Sequence, residues 1–347
     1  MNTALIPAGL MKPIVNGLVG LPKPLLRLLV GEPARVDGRE LDLQCQLIAT
    51  QFAMPPEMLA SVDAMRRNYE VGGAILGHDP DPSVALQPFT IEGPAGPVDC
   101  ERHRPAALGD ESAPALVYYH GGGHVTGSLH THRRACAQLA LEANVVVIAV
   151  DYRLAPEHKF PAGVEDALAA FDEIAARAEA LGIDRDRIGV GGDSAGGNLS
   201  AAVAQERRAA EVAPHFQLLI VPWLDMSGYS ASYASCADGF HLTREVMDWY
   251  TNHYLADREA QATDPRVSPL LGDVTGVCPA AVVVVGFDPL RDEGLAYAEK
   301  LEKAGVPTSV RCFENLIHPF MNFSGRVPAA RAGFEEVARL VKDGLRA

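Results

Sequence analysis

The stretch Gly192-Asp193-Ser194-Ala195-Gly196 sets a serine hydroxyl between small neighbours, with the apolar run Ile188-Gly189-Val190 before it and the alanine-rich segment Leu199 to Ala210 after it. This is the pattern of a serine on a sharp strand-to-helix turn, where a side chain at either glycine would meet the crossing backbone. Alone, the pentapeptide is equally a glycine-rich turn with an incidental serine. A serine hydroxyl is a weak nucleophile, and acyl transfer needs a base to take its proton and a third group to orient that base. Among the 11 histidines, His318 has the right setting: it follows the apolar run Thr308 to Phe313, in a loop shaped by Pro319 and Phe320. Asp288 stands just past the run Ala281 to Val285, where its carboxylate would emerge at the same sheet edge as Ser194. Asp292, one helical turn farther from the strand end, is the rival carboxylate.

Acyl transfer also needs donors already aimed at the developing oxyanion, a term of about 3–4 kcal/mol in a dry site. His120-Gly121-Gly122-Gly123 follows the run Ala115 to Tyr119, and its glycines allow close approach of backbone amides. The expected donors are the amides of Gly122, Gly123 and Ala195. His120 and His124 are four apart, with His130 and His132 nearby, which makes a metal site the alternative here. Glycines between the two disfavour a helical ligand pair, and no cysteine or carboxylate completes a zinc set nearby. No metal is expected, and His124 is expected to line the pocket or the loop wall.

The elements that must position these groups can be read from periodicity. From about residue 84, short apolar runs alternate with longer amphipathic ones, the signature of strands and helices around a mostly parallel sheet. Val84 to Ile91 and Val98 to Arg104 predict an opening hairpin; Ala115 to Tyr119, Val145 to Val150, Ile188 to Gly191, Phe216 to Val221, Ala281 to Val285 and Thr308 to Phe313 predict buried strands. Leu168, Phe171, Ile174, Ala178 and Leu181 mark one face of a helix that Gly182 can end; further helices are expected from Leu295 to Ala304 and from about Pro328 to Leu345. Two regions fall outside the alternation. Residues 1–80 lack buried-strand runs and look helical, most clearly from Glu57 to Tyr69. Residues 224–263 form an insertion between two predicted strands. The expected division is an N-terminal part of a helical cap (1–80), a first catalytic segment (81–223), a cap insertion (224–263) and a second catalytic segment (264–347). Met54, Met58 and Trp249 are the expected cap contributors to a substrate pocket.

Composition narrows the function classes. In 347 residues, 48% hydrophobic and 21% charged content argues against disorder, and a net charge of -14 would repel phosphate backbones and anionic lipid surfaces. No nucleic-acid partner is expected. Six scattered cysteines (Cys45, Cys100, Cys136, Cys236, Cys278, Cys312) show no Cys-x-x-Cys spacing, which fits reduced thiols. The apolar N-terminus from Ala4 to Val30 is broken by four prolines and by Lys12, Lys23 and Arg27, so no stable membrane insertion is expected. Met1 to Met11 carries no basic side chain, unlike a signal peptide, and a cytoplasmic location is expected.

The order Ser194, Asp288, His318 is that of an α/β-hydrolase triad. With His120-Gly121-Gly122-Gly123, Gly192 to Gly197, Asp288-Pro289-Leu290-Arg291-Asp292-Glu293-Gly294 and Asp151-Tyr152-Arg153-Leu154-Ala155-Pro156-Glu157, the chain from about residue 84 to 347 resembles the bacterial branch of the hormone-sensitive-lipase family of esterases. The resemblance implies an α/β-hydrolase fold: a mostly parallel eight-stranded sheet flanked by helices, with a helical cap. It implies a carboxylester hydrolase acting on short- to medium-chain acyl esters without a cofactor. His120, Gly121 and Glu157 then support the oxyanion region. A homodimer is compatible with it, dimers being common among such enzymes. The chain departs from the family pattern at Pro319, where glycine commonly follows the histidine, and at His124, where a large apolar side chain is usual. Both departures bear on specificity rather than chemistry. An amidase or deacetylase would share the triad and the first step. A ligand-binding module on the same scaffold is the rival from another class, although receptors of that kind lack the catalytic histidine and this chain keeps His318.

Overall fold

The computed structural model describes residues 8–52 and 56–346. The chain opens with helices α1 (Ala8–Val19) and α2 (Lys23–Val30), a short antiparallel ribbon of β1 (Arg35–Val36) and β2 (Arg39–Glu40), then α3 (Leu43–Gln51), a 3-10 turn (Pro56–Ala60) and α4 (Val62–Leu76). Asp42 caps α3 by accepting the amides of Gln44 and Cys45. In α3, the buried side chain of Gln46 donates to the carbonyls of Val30 (2.7 Å) and Glu32 (3.0 Å) and accepts from the Ala34 amide, which pins the link between α2 and the ribbon. The single helix expected from Glu57 to Tyr69 is in fact two elements. Ser61 interrupts it: its extended backbone and its hydroxyl, accepting the Ala64 amide, start α4 afresh.

The sheet follows. Strands β3 (Val84–Gly93) and β4 (Gly96–Pro105) form the expected hairpin and lead to β5 (Ala113–Tyr119), α5 (Leu129–Ala143), β6 (Val146–Val150), α6 (Ala162–Ala176), β7 (Ile183–Asp193), α7 (Ala195–Glu206) and β8 (Gln217–Ile220). After β8 come α8 (Ala231–Ser235), α9 (Arg244–Tyr254) and α10 (Arg258–Gln261), then β9 (Ala280–Phe287), α11 (Arg291–Lys303), β10 (Thr308–Ile317), α12 (Phe320–Phe323) and α13 (Pro328–Gly344). The eight strands lie in the order β10-β9-β8-β7-β5-β6-β4-β3. Only the β3-β4 and β4-β6 pairings are antiparallel.

Both faces of the sheet are covered, which is why its strands read as unbroken apolar runs. Along β5, Leu116 and Tyr118 enter one core with α3, α5 and α13, while Ala115, Val117 and Tyr119 enter a second with α6 and α7. Along β9, Ala281, Val283 and Val285 join the first, whereas Val282 and Val284 pack under α11. Strands β5, β7, β9 and β10 run in one direction, so His120, Ser194, Asp288 and His318, each the residue after its strand, all leave the sheet at the same rim. That rim, the carboxyl end of parallel strands, is where open α/β sheets bind ligands. No single described helix is long and apolar enough to cross a membrane.

Candidate active site

Ser194 sits between β7 and α7 with φ 55° and ψ -115°, a conformation that costs a non-glycine residue strain and needs its surroundings to enforce it. The enforcement is local. The Ser194 amide donates to the Ile220 carbonyl (2.8 Å) and its own carbonyl accepts from Asn198 and Trp223. A Cβ at Gly192 or Gly196 would run into the Tyr119 carbonyl of the neighbouring strand. Both glycines are therefore required by close approach.

His318 follows β10 at a register shift between Phe313 and Ile317, and its Nδ1 lies 2.8 Å from Oδ2 of Asp288. Asp288 is fully buried, and its Oδ1 accepts the Leu290 amide (2.9 Å). The rival, Asp292, is occupied elsewhere: it accepts from the Ser232 amide (2.8 Å) and from Nε of Arg291 (2.9 Å). Ser194 and His318 are each 8% exposed and line one cavity.

The glycine loop after β5 also forms part of that cavity wall. Gly122 and Gly123 have φ of 120° and 61°, and neither their amides nor that of Ala195 at the start of α7 donates to a described acceptor. The loop is tied down from behind. Asp193 Oδ1 accepts the Gly121 amide (3.1 Å) and the Tyr118 hydroxyl (2.7 Å), and His132 Nε2 stands 3.4 Å from it. Burial alone would push the Asp193 carboxyl up, but His132 and the Tyr118 hydroxyl favour the anion and hold it down to about 2. Tyr152 donates to the His120 carbonyl (2.7 Å), and the His120 ring stacks on Tyr152. Glu157 forms an ion pair with Arg66 of α4, whose Nε donates to the Val125 carbonyl (2.9 Å), so α4 grips the glycine loop from outside. Asp193 was visible in the motif without a role, and nothing in the local sequence marks Arg66.

The cavity holds about 320 Å³. Its walls come from α1 (Met11, Val15), α3 (Ile48), α4 (Tyr69, Gly72), the insertion (His241, Leu242, Val246, Met247, Tyr250) and the rim with Trp223. Of the expected pocket residues, Met54 lies outside the described residues. Met58, in the 3-10 turn, and Trp249 are not in the cavity lining. On α9, Met247 and Tyr250 share the inward face, and Trp249 is turned away from it by helical geometry. The Trp249 Nε1 instead donates to the Leu59 carbonyl (2.7 Å), joining the insertion to the N-terminal region. His124 is also absent from the lining: it is buried in the loop wall, its ring stacked on Tyr254 at 3.9 Å between centroids.

A doubly covered parallel sheet, with a serine on a strained turn and a His–Asp pair at its rim, defines the α/β-hydrolase class. Residues 116–322 match a family model described as an alpha/beta hydrolase fold. The chain is 38% identical to the carboxylic ester hydrolase LipN of Mycobacterium tuberculosis, over 95% of this chain and 90% of that protein. It is 37% identical to an ethyl acetate hydrolase of Pseudomonas putida, over 84% of this chain and 92% of that one. Among solved structures it resembles an ester hydrolase from the metagenome of Lake Arreo in complex with a bipyridine phosphonate derivative (TM-score 0.83, 36% identity, 94% and 99% coverage). It also resembles an esterase of Pyrobaculum calidifontis (TM-score 0.82, 36% identity, 87% and 98% coverage). The chain belongs to the hormone-sensitive-lipase-like esterase family of α/β-hydrolases, and it is a serine carboxylesterase.

Proposed function

We propose that Ser194, His318 and Asp288 hydrolyse short- to medium-chain carboxylic esters through an acyl-enzyme. Ser194 Oγ attacks the ester carbon while His318 Nε2 takes its proton, and Asp288 holds the imidazole through Nδ1–H. The negative charge that develops on the carbonyl oxygen is met by the amides of Gly122, Gly123 and Ala195. His318 returns the proton to the leaving alcohol as the C–O bond breaks. Water, deprotonated by the same imidazole, then attacks the acyl-enzyme and frees the acid and Ser194.

The observation that carries this reading is the His318–Asp288 contact at 2.8 Å on the cavity that Ser194 and the glycine loop also line. Chain-length preference follows from size, since about 320 Å³ is at the lower end of the range of about 300–1,000 Å³ for ligand cavities. A relative named for ethyl acetate points the same way. The N-terminal helices and the insertion serve as the cap, because both supply cavity wall and Trp249 links them. All six cysteines are unpaired, which fits the reducing cytoplasm. Replacing Ser194 by alanine should reduce p-nitrophenyl butyrate turnover by about 10⁴-fold or more with the fold unchanged. Near-normal turnover would remove Ser194 from the mechanism. Across p-nitrophenyl esters from acetate to palmitate, kcat/KM should peak at short to medium chains; a maximum at palmitate would contradict the cavity argument.

A further inference from the structure

His132 is one of the four clustered histidines, and the acyl-transfer steps give it no part. It lies one turn into α5 and is 1% exposed. Its Nδ1 stands 2.8 Å from Thr131 Oγ1, and Thr131 is itself locked in the box that caps α5, exchanging hydrogen bonds with Ser128. The ring stacks with those of His120 (5.5 Å between centroids) and Tyr69 (6.0 Å). Capping and packing together fix the place of Nε2.

That place is 3.4 Å from Asp193 Oδ1. The contact is longer than a hydrogen bond in good geometry, and Nε2 has no other partner among the described residues. Oδ1 accepts the Gly121 amide (3.1 Å) and the Tyr118 hydroxyl (2.7 Å), so a lone pair on Nε2 would set acceptor against acceptor in a buried place. The proton therefore belongs on Nε2. The carboxylate in turn underlies the glycine loop, because a Cβ at Gly121 would strike it. A shift of Asp193 moves Gly121, and with it the adjoining Gly122 and Gly123 in the cavity wall.

We infer that His132 is a positioning residue for ester hydrolysis: its Nε2–H holds the Asp193 carboxylate under Gly121 and so keeps the Gly122 and Gly123 amides aimed at the reacting carbonyl oxygen. This rests on the hydrolase reading above, in which those amides meet the oxyanion. His132 is not in the cavity lining, so its effect is carried by loop geometry alone. A misplacement of about 1 Å in such a site costs about 10²-fold in rate.

The test joins kinetics to a pair of inhibitors, a trifluoromethyl alkyl ketone and the matching methyl ketone. Ser194 Oγ adds to the first, its proton passing to His318, and the anionic hemiketal oxygen so formed needs the same amides; the second binds without that adduct. His132→Phe keeps the volume and the stacking but loses Nε2–H. Its kcat on p-nitrophenyl butyrate should fall about 10- to 30-fold with KM within about twofold of wild type. Ki for the trifluoromethyl ketone should rise by a similar factor, while Ki for the methyl ketone stays within about twofold. His132→Gln, whose amide brings an N–H near the lost one, should recover kcat to within about threefold of wild type. In Asp193→Ala nothing is left for His132 to hold, and adding His132→Phe should lower kcat by less than about twofold more. That double variant strands no buried carboxylate, so it decides the matter even where His132→Phe alone does not fold. Unchanged kcat and trifluoromethyl-ketone affinity in His132→Phe overturn the inference, and so does a full further loss of about tenfold in the Asp193→Ala background. Lower thermal stability with neither change would make His132 a packing residue and overturn it as well. Wild type that binds the two ketones equally would sink the oxyanion reading itself; wild type that prefers the trifluoromethyl ketone, with the preference intact in His132→Phe, sinks the positioning role alone.

Discussion

Asp288 has both carboxylate oxygens engaged, Oδ2 by His318 and Oδ1 by the Leu290 amide, and it has no access to water. An asparagine in its place keeps the volume but cannot accept an imidazole N–H through its NH₂ while still accepting the Leu290 amide through its oxygen. The imidazole would be left in the wrong tautomer for deprotonating Ser194, so Asp288→Asn should lower kcat by about 10³–10⁴-fold. Asp292→Asn is the matched control. Its partners are Ser232 and Arg291 rather than His318, and turnover should fall by less than about threefold. Steady-state kinetics on both variants decide between the two carboxylates, and equal damage would return Asp292 to contention. The same scale separates residues legible in sequence from those that are not. Asp288 and His318 follow apolar strands and could be found from that position. Arg66 is held in place by the Val125 carbonyl, 59 positions away in the chain, and short-range pattern carries no trace of it.

At the scale of elements, the parallel strands were readable because burial on both faces writes them as continuous apolar runs. Their ends were less so. Strand β10 continues to Ile317, past the expected end at Phe313, because its register shift spans the polar pair Glu314-Asn315, which interrupts the apolar signal while the chain still advances toward His318. Helix α6 stops at Ala176, yet Ala178 and Leu181 remain buried in the turn that follows, so helical periodicity continued where helix did not. Residues 224–263 read as an interruption of the alternation, but which face of α9 turns inward is set by tertiary packing, which puts Met247 and Tyr250, and not Trp249, in the cavity wall. The β7–α7 junction is the element most sensitive to a single methyl group. In Gly196→Ala, the added Cβ would strike the Tyr119 and His120 carbonyls, which belong to sheet backbone and to the start of the glycine loop and cannot step aside independently. The expected result is destabilisation of about 1–3 kcal/mol, together with loss of fluorophosphonate labelling at Ser194. Urea denaturation and labelling measured on one preparation would test it; normal stability with normal labelling would show that the junction has slack the packing denies.

Across the described residues, the fold buries five imidazoles whose surroundings favour the neutral form. Burial pushes His78, His103 and His241 down to about 4, helped at His78 by Arg331 and at His241 by His318. His120 and His124 are pushed down to about 3, again by burial first, with His132 acting on His120 and His120 on His124. Their ordinary value is 6.5. The unfolded chain therefore binds protons that the native state refuses, so stability is whole above about pH 6.5 and declines as pH falls from there toward 4 and 3. Each such histidine contributes a slope of about 1.4 kcal/mol per pH unit within that window. Several acting together exhaust a typical stability of about 5–15 kcal/mol within one or two pH units. Asp193 adds in the same direction only lower down, as pH falls from its ordinary 3.8 toward about 2. The protein should accordingly lose cooperative thermal unfolding near about pH 5, well above the range in which carboxylates titrate. Melting followed by near-ultraviolet circular dichroism from pH 8 to pH 4 provides the measurement. A melting temperature that holds steady down to pH 4 would mean that these rings are hydrated or hydrogen-bonded in solution, and that the core around the glycine loop is wetter than its packing implies.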